Sequence, residues 1–196
     1  MLDRIRTDLE RLLKDKPARL KHIYGVKDKA IELGIKYNLD LEKLEIASLL
    51  HDITKYLSID KHKEIIRDFF KDSDRIFKEF NDHILHAFSA YAVSVSEYHV
   101  TDQDILDSIK SHTVGRPDMS MYEKVIFIAD YTEINRTYES CVKTRGLLEK
   151  SLDLAVYTAI DDSIMFYENI GNVIPKDAYD AREYYKRVLE VNHGQN

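Results

Sequence analysis

Leu49-Leu50-His51-Asp52-Ile53-Thr54-Lys55 is the stretch from which both the fold and the chemistry of this protein can be inferred. An apolar helical run ends there in an adjacent imidazole and carboxylate, and a lysine follows one turn later. A carboxylate beside Leu49, Leu50 and Ile53 is costly to desolvate unless a partner compensates it, and a divalent or trivalent cation does so best. A helix end at which His51 and Asp52 are simply hydrated explains the same residues. The choice between a cation site and a hydrated helix end therefore depends on the rest of the sequence.

The composition favours a helical protein. The 196 residues are 44% hydrophobic and 33% charged, which is enough for one domain with a sizeable core, or for one domain with a small appendage. Glycine and proline are scarce, at 6 and 3 residues, so long helices are favoured over a turn-rich β architecture. We predict an all-α fold with a single domain over residues 1–196, a motif-bearing core at about 17–137, and helices at about 138–191 that complete it.

Charge and cysteine content exclude several classes of protein. A formal net charge of −6 argues against a nucleic-acid partner, because binding to a phosphate backbone normally needs a basic face. The single Cys141 excludes a disulfide framework and a cysteine-based zinc site, and it fits a reducing compartment. No run has the length of a membrane span, and the charged N-terminus does not resemble a signal peptide. We therefore predict a cytoplasmic protein without a membrane partner.

Five predicted helices each direct a histidine or a carboxylate toward the interior. The residues are His22, His51 with Asp52, His86, His112 and Asp130. Helical periodicity places each of them on an apolar face, and Asp130 interrupts the apolar run that begins at 125. One buried histidine is more often a hydrogen-bonded core residue than a ligand, but these faces lack the Lys and Arg that would neutralise so many polar groups. Imidazole and carboxylate without thiolate suit iron, manganese or zinc, so we predict a shared metal site.

Helical periodicity also gives the bounds of these and other elements. The helices that carry His22 and His86 are expected at about 18–38 and 82–98, and others at about 2–15 and 177–191, with two between 139 and 170. Asp40 is a predicted N-cap, and Ser120 with Glu123 forms a capping-box pattern. The segment 58–81 should hold one or two short helices without a chemical role, with His62 solvated among charged neighbours. Glu133 and Arg136 follow Asp130 at steps of three and should extend its polar seam toward solvent.

At His22, His51-Asp52 and Asp130 the sequence resembles the H…HD…D pattern of the HD-domain metal-dependent phosphohydrolases. The finer resemblance, over about residues 15–185, is to their YqeK-like branch, the symmetrical bis(5′-nucleosyl)-tetraphosphatases. It is carried by six blocks: Arg19-Leu20-Lys21-His22, His51-Asp52-Ile53-Thr54-Lys55, Leu85-His86-Ala87, His112-Thr113-Val114-Gly115, Met119-Ser120-Met121-Tyr122-Glu123-Lys124 and Ala129-Asp130-Tyr131-Thr132-Glu133-Ile134-Asn135-Arg136. Asp177-Ala178 and Arg182-Glu183 stand where that branch usually has a Thr and an Arg-Asn pair, a departure that bears on nucleoside contacts.

The resemblance implies a single-domain HD helical bundle with a metal in its core. The ligands would be His22, His51, Asp52 and Asp130. His86 and His112 would either complete a second metal position, with Asp52 bridging, or contact the substrate phosphates; the sequence leaves both open. One or two iron ions are expected, and manganese or another divalent metal is also allowed by the ligand chemistry.

The implied reaction is symmetrical hydrolysis of diadenosine tetraphosphate, a small-molecule dinucleoside polyphosphate, to two ADP. The resemblance gives catalytic roles to Asp52, Lys55, His86 and His112, and helices 138–191 would complete the substrate cleft. The expected nucleotide- and phosphate-binding residues are Arg19, Asp52, Lys55, His86, His112, Thr113, Gly115, Asp130, Arg136 and Arg182. Arg136 has an alternative role in pairing with Glu133.

Two other functions fit the same residues. One is an HD phosphohydrolase acting on a deoxynucleotide, a nucleoside monophosphate or a guanosine alarmone. The other is a module that binds metal and nucleotide without hydrolysis, and the altered segment 177–183 keeps that function open. The sequence is also compatible with a homodimer.

Overall fold

The computed structural model describes residues 1–193, and this part of the chain is built from helices alone. The prediction of an all-α fold is therefore confirmed. The helices are α1 Leu2–Leu12, α2 Pro17–Tyr37, α3 Leu41–Leu50, α4 Ile59–Phe69, α5 Ser73–Glu79, α6 Leu85–Ser96, α7 Gln103–Ser111, α8 Met121–Thr132, α9 Glu139–Leu147, α10 Leu152–Asn169 and α11 Lys176–His193. No helix of residues 1–193 is long and apolar enough to cross a membrane.

Local sequence signals set the ends of the helices that carry the site. Pro17 occupies the first turn of α2, where its missing N–H costs nothing, and the helix ends at Asn38 in a left-handed conformation. Asp40 caps α3 by accepting hydrogen bonds from the amides of Glu42 and Lys43. The capping box predicted from Ser120 and Glu123 is present at the start of α8. These signals set both ends of α2 and the starts of α3 and α8, and thus the turn of each helix that holds its polar residue.

One continuous hydrophobic core joins both ends of the described chain. It runs from Ile5 in α1 to Tyr185 in α11, and both side chains are fully buried. Within it α2 packs on α3 and α8, while α7 packs on α3, α6 and α8. Helices α9 and α10 pack on α8, and α11 packs on α10. Helices α2, α3, α6, α7 and α8 thus surround a common centre, and each contributes one of the polar residues or ends beside it.

A smaller apolar cluster lies between α4, α5 and α6, around Ile66, Ile76 and Phe88. Two helices are present in segment 58–81, within the one or two that were predicted. The prediction that His62 is solvated is wrong, because its residue is 4% exposed and its Nδ1 lies 2.7 Å from Ser89 Oγ. Its charged neighbours along the chain face solvent, whereas His62 lies one helical turn before Ile66 on the face that packs against α6.

Candidate metal centre

Four imidazole rings converge in the centre of the bundle with the same orientation. In each ring Nδ1 lies within hydrogen-bond distance of an oxygen that can only accept, so Nδ1 carries the proton. The pairs are His22 with Glu133 Oε1 at 3.2 Å, His51 with the Ser48 carbonyl at 2.5 Å, His86 with the His83 carbonyl at 2.8 Å, and His112 with the Ile109 carbonyl at 2.6 Å. Histidines that bind metal characteristically donate their second ring N–H to a carbonyl or carboxylate in this way.

The other nitrogen of each ring, Nε2, faces Asp52. Burial lowers the pKa of His112 to about 3, and burial also lowers the pKa of His51, so both rings are neutral near pH 7. A neutral ring protonated at Nδ1 has an unprotonated Nε2. The Nε2 atoms of His86 and His112 lie 3.1 Å apart, an arrangement that two lone pairs favour only with a cation or a proton donor between them.

Asp52 lies between two pairs of histidines. Its Oδ2 is 3.5 Å from His51 Nε2 and 3.9 Å from His22 Nε2, while its Oδ1 is 3.2 Å from His86 Nε2 and 3.8 Å from His112 Nε2. Each carboxylate oxygen therefore faces a different pair.

Two overlapping groups of three residues have ligand atoms within 4.8 Å of one another. One is His22, His51 and Asp130, with His22 Nε2 at 3.0 Å from Asp130 Oδ1, and the other is His51, Asp52 and His112. The buried atoms His22 Nε2, His51 Nε2 and Asp52 Oδ1 have no hydrogen-bond partner in the described part of the chain. An unsatisfied buried polar atom costs about 1–3 kcal/mol, and a cation would satisfy all three at once. The donor set thus fits a metal ion.

The charge of the cluster also suits a cation. Burial by itself would raise the pKa of Asp52, but His51, His86 and Lys55 outweigh it and hold that pKa well below its usual value. Burial likewise opposes ionisation of Asp130, and the nearby Arg136 guanidinium holds its pKa well below the usual range. Both carboxylates are therefore anionic at neutral pH.

Three cations border the cluster and remain partly exposed. Arg19 Nη1 donates to Asp52 Oδ2 at 2.7 Å, and Arg136 Nη2 donates to Asp130 Oδ1 at 2.8 Å. Lys55 Nζ lies 3.0 Å from His86 Nε2 and 3.8 Å from Asp52 Oδ1. Their side chains are 24–31% exposed, so they can reach an anion arriving from solvent. The alternative pairing of Arg136 with Glu133 is wrong, because its carboxylate partner is Asp130.

Glu133 is the main correction to the predicted site. It was expected to lead toward solvent, but its residue is 1% exposed, and its carboxylate accepts from His22 Nδ1 and from the amide of Asn135. A Cβ atom on Gly25 would lie 2.5 Å from Glu133 Oε2, so the glycine provides the space for this carboxylate. Sequence periodicity gives no signal for the contact between His22 and Glu133, because these residues are 111 positions apart.

Arg145 is a second residue without a sequence signal. It lies in α9 and donates to the backbone carbonyls of Thr132, Glu133 and Arg136, at 2.6 Å and 2.7 Å for the first two. These three carbonyls belong to the turn that follows Asp130. Arg145 therefore holds the turn from which Glu133 and Arg136 reach the cluster.

Of the other residues predicted to bind phosphate or nucleotide, only Thr113 has a polar group free for such a contact within residues 1–193, whereas Gly115 and Arg182 already have partners. The hydroxyl of Thr113 is buried and has no hydrogen-bond partner among the described residues, so it is available to an acceptor. The Gly115 amide already donates to the Ser111 carbonyl at 2.8 Å, so the structure does not offer it to a phosphate. Gly115 has φ +69°, and its place in the loop is explained by this left-handed turn. Arg182 lies 3.5 Å from Asp161 and stacks on Tyr179, rather than joining the cations at the cluster.

A model of the HD domain matches residues 19–135, a span that contains all six polar residues of the cluster. The chain belongs to the HD-domain family. A protein of Halalkalibacterium halodurans named symmetrical bis(5′-nucleosyl)-tetraphosphatase is 36% identical over 149 residues, which are 76% of this chain and 78% of that protein. A Bacillus subtilis protein of the same name is 38% identical over 149 residues, which are again 76% of this chain and 78% of that protein.

A solved structure agrees with this membership. The crystal structure of a predicted HD superfamily hydrolase involved in NAD metabolism, from Clostridium acetobutylicum, superposes with a TM-score of 0.88 at 33% identity. The match covers 95% of this chain and 97% of that chain. Within the HD-domain hydrolases the chain belongs to the symmetrical bis(5′-nucleosyl)-tetraphosphatase group, and the resemblance inferred from the sequence motifs is confirmed.

Proposed function

We propose that this protein hydrolyses diadenosine tetraphosphate symmetrically to two ADP, in a metal-dependent reaction. The observation that carries the proposal is the convergence of four imidazole Nε2 atoms on the two oxygens of Asp52, beneath three partly exposed cations. The names of the relatives at 36% and 38% identity support the choice of substrate.

The proposed ligands of the first cation are His22, His51, Asp52 and Asp130. His86 and His112, which face the other oxygen of Asp52, either hold a second cation or contact the phosphates. Iron is the proposed metal, with manganese or another divalent ion as the alternative, because the donor set contains imidazole and carboxylate. A cation bound here supplies Lewis-acid activation and brings the pKa of water toward neutrality.

The side chains around the cluster would bind and orient the polyphosphate. Arg19, Lys55 and Arg136 are positioned to neutralise its negative charges, and the Thr113 hydroxyl can donate to a non-bridging oxygen. Because these groups read the phosphate chain rather than the bases, they would fix cleavage at its middle. One water is consumed and the central phosphoanhydride bond breaks, which gives two ADP.

We also propose the domain organisation and the cellular location that go with this activity. Residues 1–196 act as one domain, and α9 to α11 complete the substrate cleft, which fits the continuous larger core that joins α1 to α11. The contact of Arg182 with Asp161 leaves its role in nucleotide binding to experiment. A cytoplasmic location suits the lone buried Cys141.

Product analysis tests the proposal. Protein loaded with iron or manganese should convert diadenosine tetraphosphate to ADP as the only initial product, measured by anion-exchange chromatography at early times. Equal amounts of ATP and AMP would mean asymmetric cleavage. Absence of dinucleotide hydrolysis, with turnover of a deoxynucleotide or guanosine nucleotide in the same panel, would favour the other HD hydrolases.

Two variants connect the activity to the cluster. Asp52→Asn keeps the size of the side chain but removes the charge shared by both histidine pairs, so bound metal and activity should fall together. Arg136→Ala should lower kcat/KM about tenfold or more, the scale for the loss of a charge-assisted contact. Normal metal content in Asp52→Asn would contradict the proposed ligand set.

A further inference from the structure

A network of buried polar side chains lies beneath the metal centre, on the side of α4. His62 Nδ1 is 2.7 Å from Ser89 Oγ, and Ser89 Oγ is 2.8 Å from Thr54 Oγ1. Both hydroxyls also approach the backbone carbonyl of His86, at 3.1 Å from Ser89 and 2.9 Å from Thr54. The three side chains belong to α4, α6 and the turn after α3, so the network joins three separate segments.

The network is buried and its chemistry is constrained. His62 is 4% exposed, Thr54 is 3% exposed and Ser89 is fully buried. A serine hydroxyl has one proton, and when Ser89 donates it to Thr54 or to the His86 carbonyl, its lone pair has to accept from His62. His62 is then a neutral ring with the proton on Nδ1. An apolar side chain would fill the same interface between α4 and α6 without the desolvation of an imidazole, so packing alone does not explain a histidine here.

The groups that the network holds are next to the proposed ligands. Thr54 lies two residues after Asp52, and Ser89 lies one helical turn after His86. The carbonyl on which both hydroxyls converge belongs to His86 itself, whose Nε2 is 3.2 Å from Asp52 Oδ1. The network therefore fixes the turn that carries Asp52 relative to the helix that carries His86.

We propose that His62 is a positioning residue, which acts through Ser89 and Thr54 to hold His86 at its place opposite Asp52. This inference rests on the proposed function, because the position of His86 matters only if it binds a cation or a phosphate there. His62 itself does not contact the reacting atoms. Polar groups that orient ligands in this way typically change metal affinity or activity by about 10–100-fold when they are removed.

The test compares His62→Leu with His62→Asn. Leucine fills the space without a hydrogen bond, whereas the asparagine amide nitrogen stands near the position of Nδ1 and can donate to Ser89. We expect His62→Leu to lower kcat for diadenosine tetraphosphate about tenfold with a smaller change in KM, and His62→Asn to restore most of it. Manganese affinity, measured by electron paramagnetic resonance without substrate, should weaken in the leucine variant and recover in the asparagine variant.

Ser89→Ala provides an independent variant, because it removes the link and leaves α4 unchanged. If His62→Leu does not fold, Ser89→Ala should still show the lower kcat and weaker manganese binding. Where both fold, the double variant should be no worse than the stronger single variant, since both break the same connection. Lys61→Leu, at an exposed neighbour on α4, is the matched control and should behave like the unchanged protein.

The outcomes separate the two proposals. An unchanged protein that does not hydrolyse dinucleoside polyphosphates contradicts the proposed function. An active protein in which Ser89→Ala keeps normal kcat and manganese affinity contradicts the positioning role. The role is equally contradicted if His62→Asn is as defective as His62→Leu, or if the effects of the two single variants add.

Discussion

At the scale of single residues, the orientation of the His22 ring depends on a glycine, Gly25, whose lack of a side chain leaves room for Glu133. Gly25 lies in α2 one turn after His22, and it leaves the space in which the Glu133 carboxylate accepts from the His22 ring. Glu133 has little freedom to move, because the amide and the side chain of Asn135 also donate to it, at 2.6 Å and 2.8 Å. A methyl group at position 25 would therefore act through the carboxylate on His22, a proposed metal ligand.

Gly25→Ala is predicted to weaken metal binding although alanine is the better helix former. The substitution gains about 1 kcal/mol in helix propensity, but the added Cβ displaces Glu133 and frees the His22 ring. We expect metal affinity to fall by about tenfold or more in a calorimetric titration. Gly146→Ala in α9 is the control, since a Cβ there meets nothing within 4 Å, and it should raise stability without changing metal affinity. Unchanged affinity in Gly25→Ala would show that Glu133 does not orient the ring.

At the scale of helices and turns, the start of α8 is held by a buried ion pair. Glu123 accepts from Arg116 Nη2 at 2.6 Å and Nε at 2.7 Å, and from the Ser120 amide at 2.8 Å. The Glu123 side chain is fully buried, whereas that of Arg116 is 43% exposed. The pair joins the loop after His112 to the helix that carries Asp130.

Arg116→Ala is predicted to destabilise the protein more than Glu123→Ala does. Loss of the arginine leaves a buried carboxylate without its counter-ion, at a cost of about 3 kcal/mol or more. Loss of the glutamate leaves a guanidinium that can turn to water. Urea unfolding of the two variants at pH 7 measures both free energies, and the reverse order would contradict the argument from burial.

The same elements show what could be predicted from sequence. Caps such as Asp40 and the Ser120–Glu123 box were correct because they depend on residues within one helical turn. The prediction that His62 is solvated is wrong because the charge of its sequence neighbours does not determine which face it lies on, whereas its spacing of four from the buried Ile66 does. The burial of Glu133, which was predicted to face solvent, and the role of Arg145 both depend on contacts between segments that are distant in the sequence, and periodicity does not encode such contacts.

At the scale of the whole molecule, burial of neutral histidines makes stability depend on pH. Burial lowers the pKa of His62 to about 4 and of His112 to about 3, against about 6.5 in an unfolded chain. Between these values the unfolded state binds protons that the folded state does not. The metal-free protein should therefore lose stability as the pH falls from about 6.5 toward the folded-state pKa values of about 4 and about 3, and keep it above about 7.

His62→Asn should make this loss shallower, because it removes one of the groups that must be protonated on unfolding. Urea unfolding of both metal-free proteins at several pH values gives the two slopes. Equal slopes would mean that His62 is not held neutral in the folded protein. The lowered pKa values of Asp52 and Asp130 act in the same direction, because the unfolded chain again binds protons more readily than the folded protein does, but this loss of stability is confined to pH values below about 4.

The distribution of the cluster over the chain has a kinetic consequence. Its polar residues come from segments that only tertiary structure brings together, as the contact of His22 with Glu133 across 111 positions shows. An ion held by all of them can bind only when the ends of that long loop have met, so it joins late in folding and has to be released early in unfolding. The ion would thus slow unfolding without changing the rate of folding. A chelator should therefore shorten the half-life of the folded protein in denaturant, while the rate of refolding stays nearly the same.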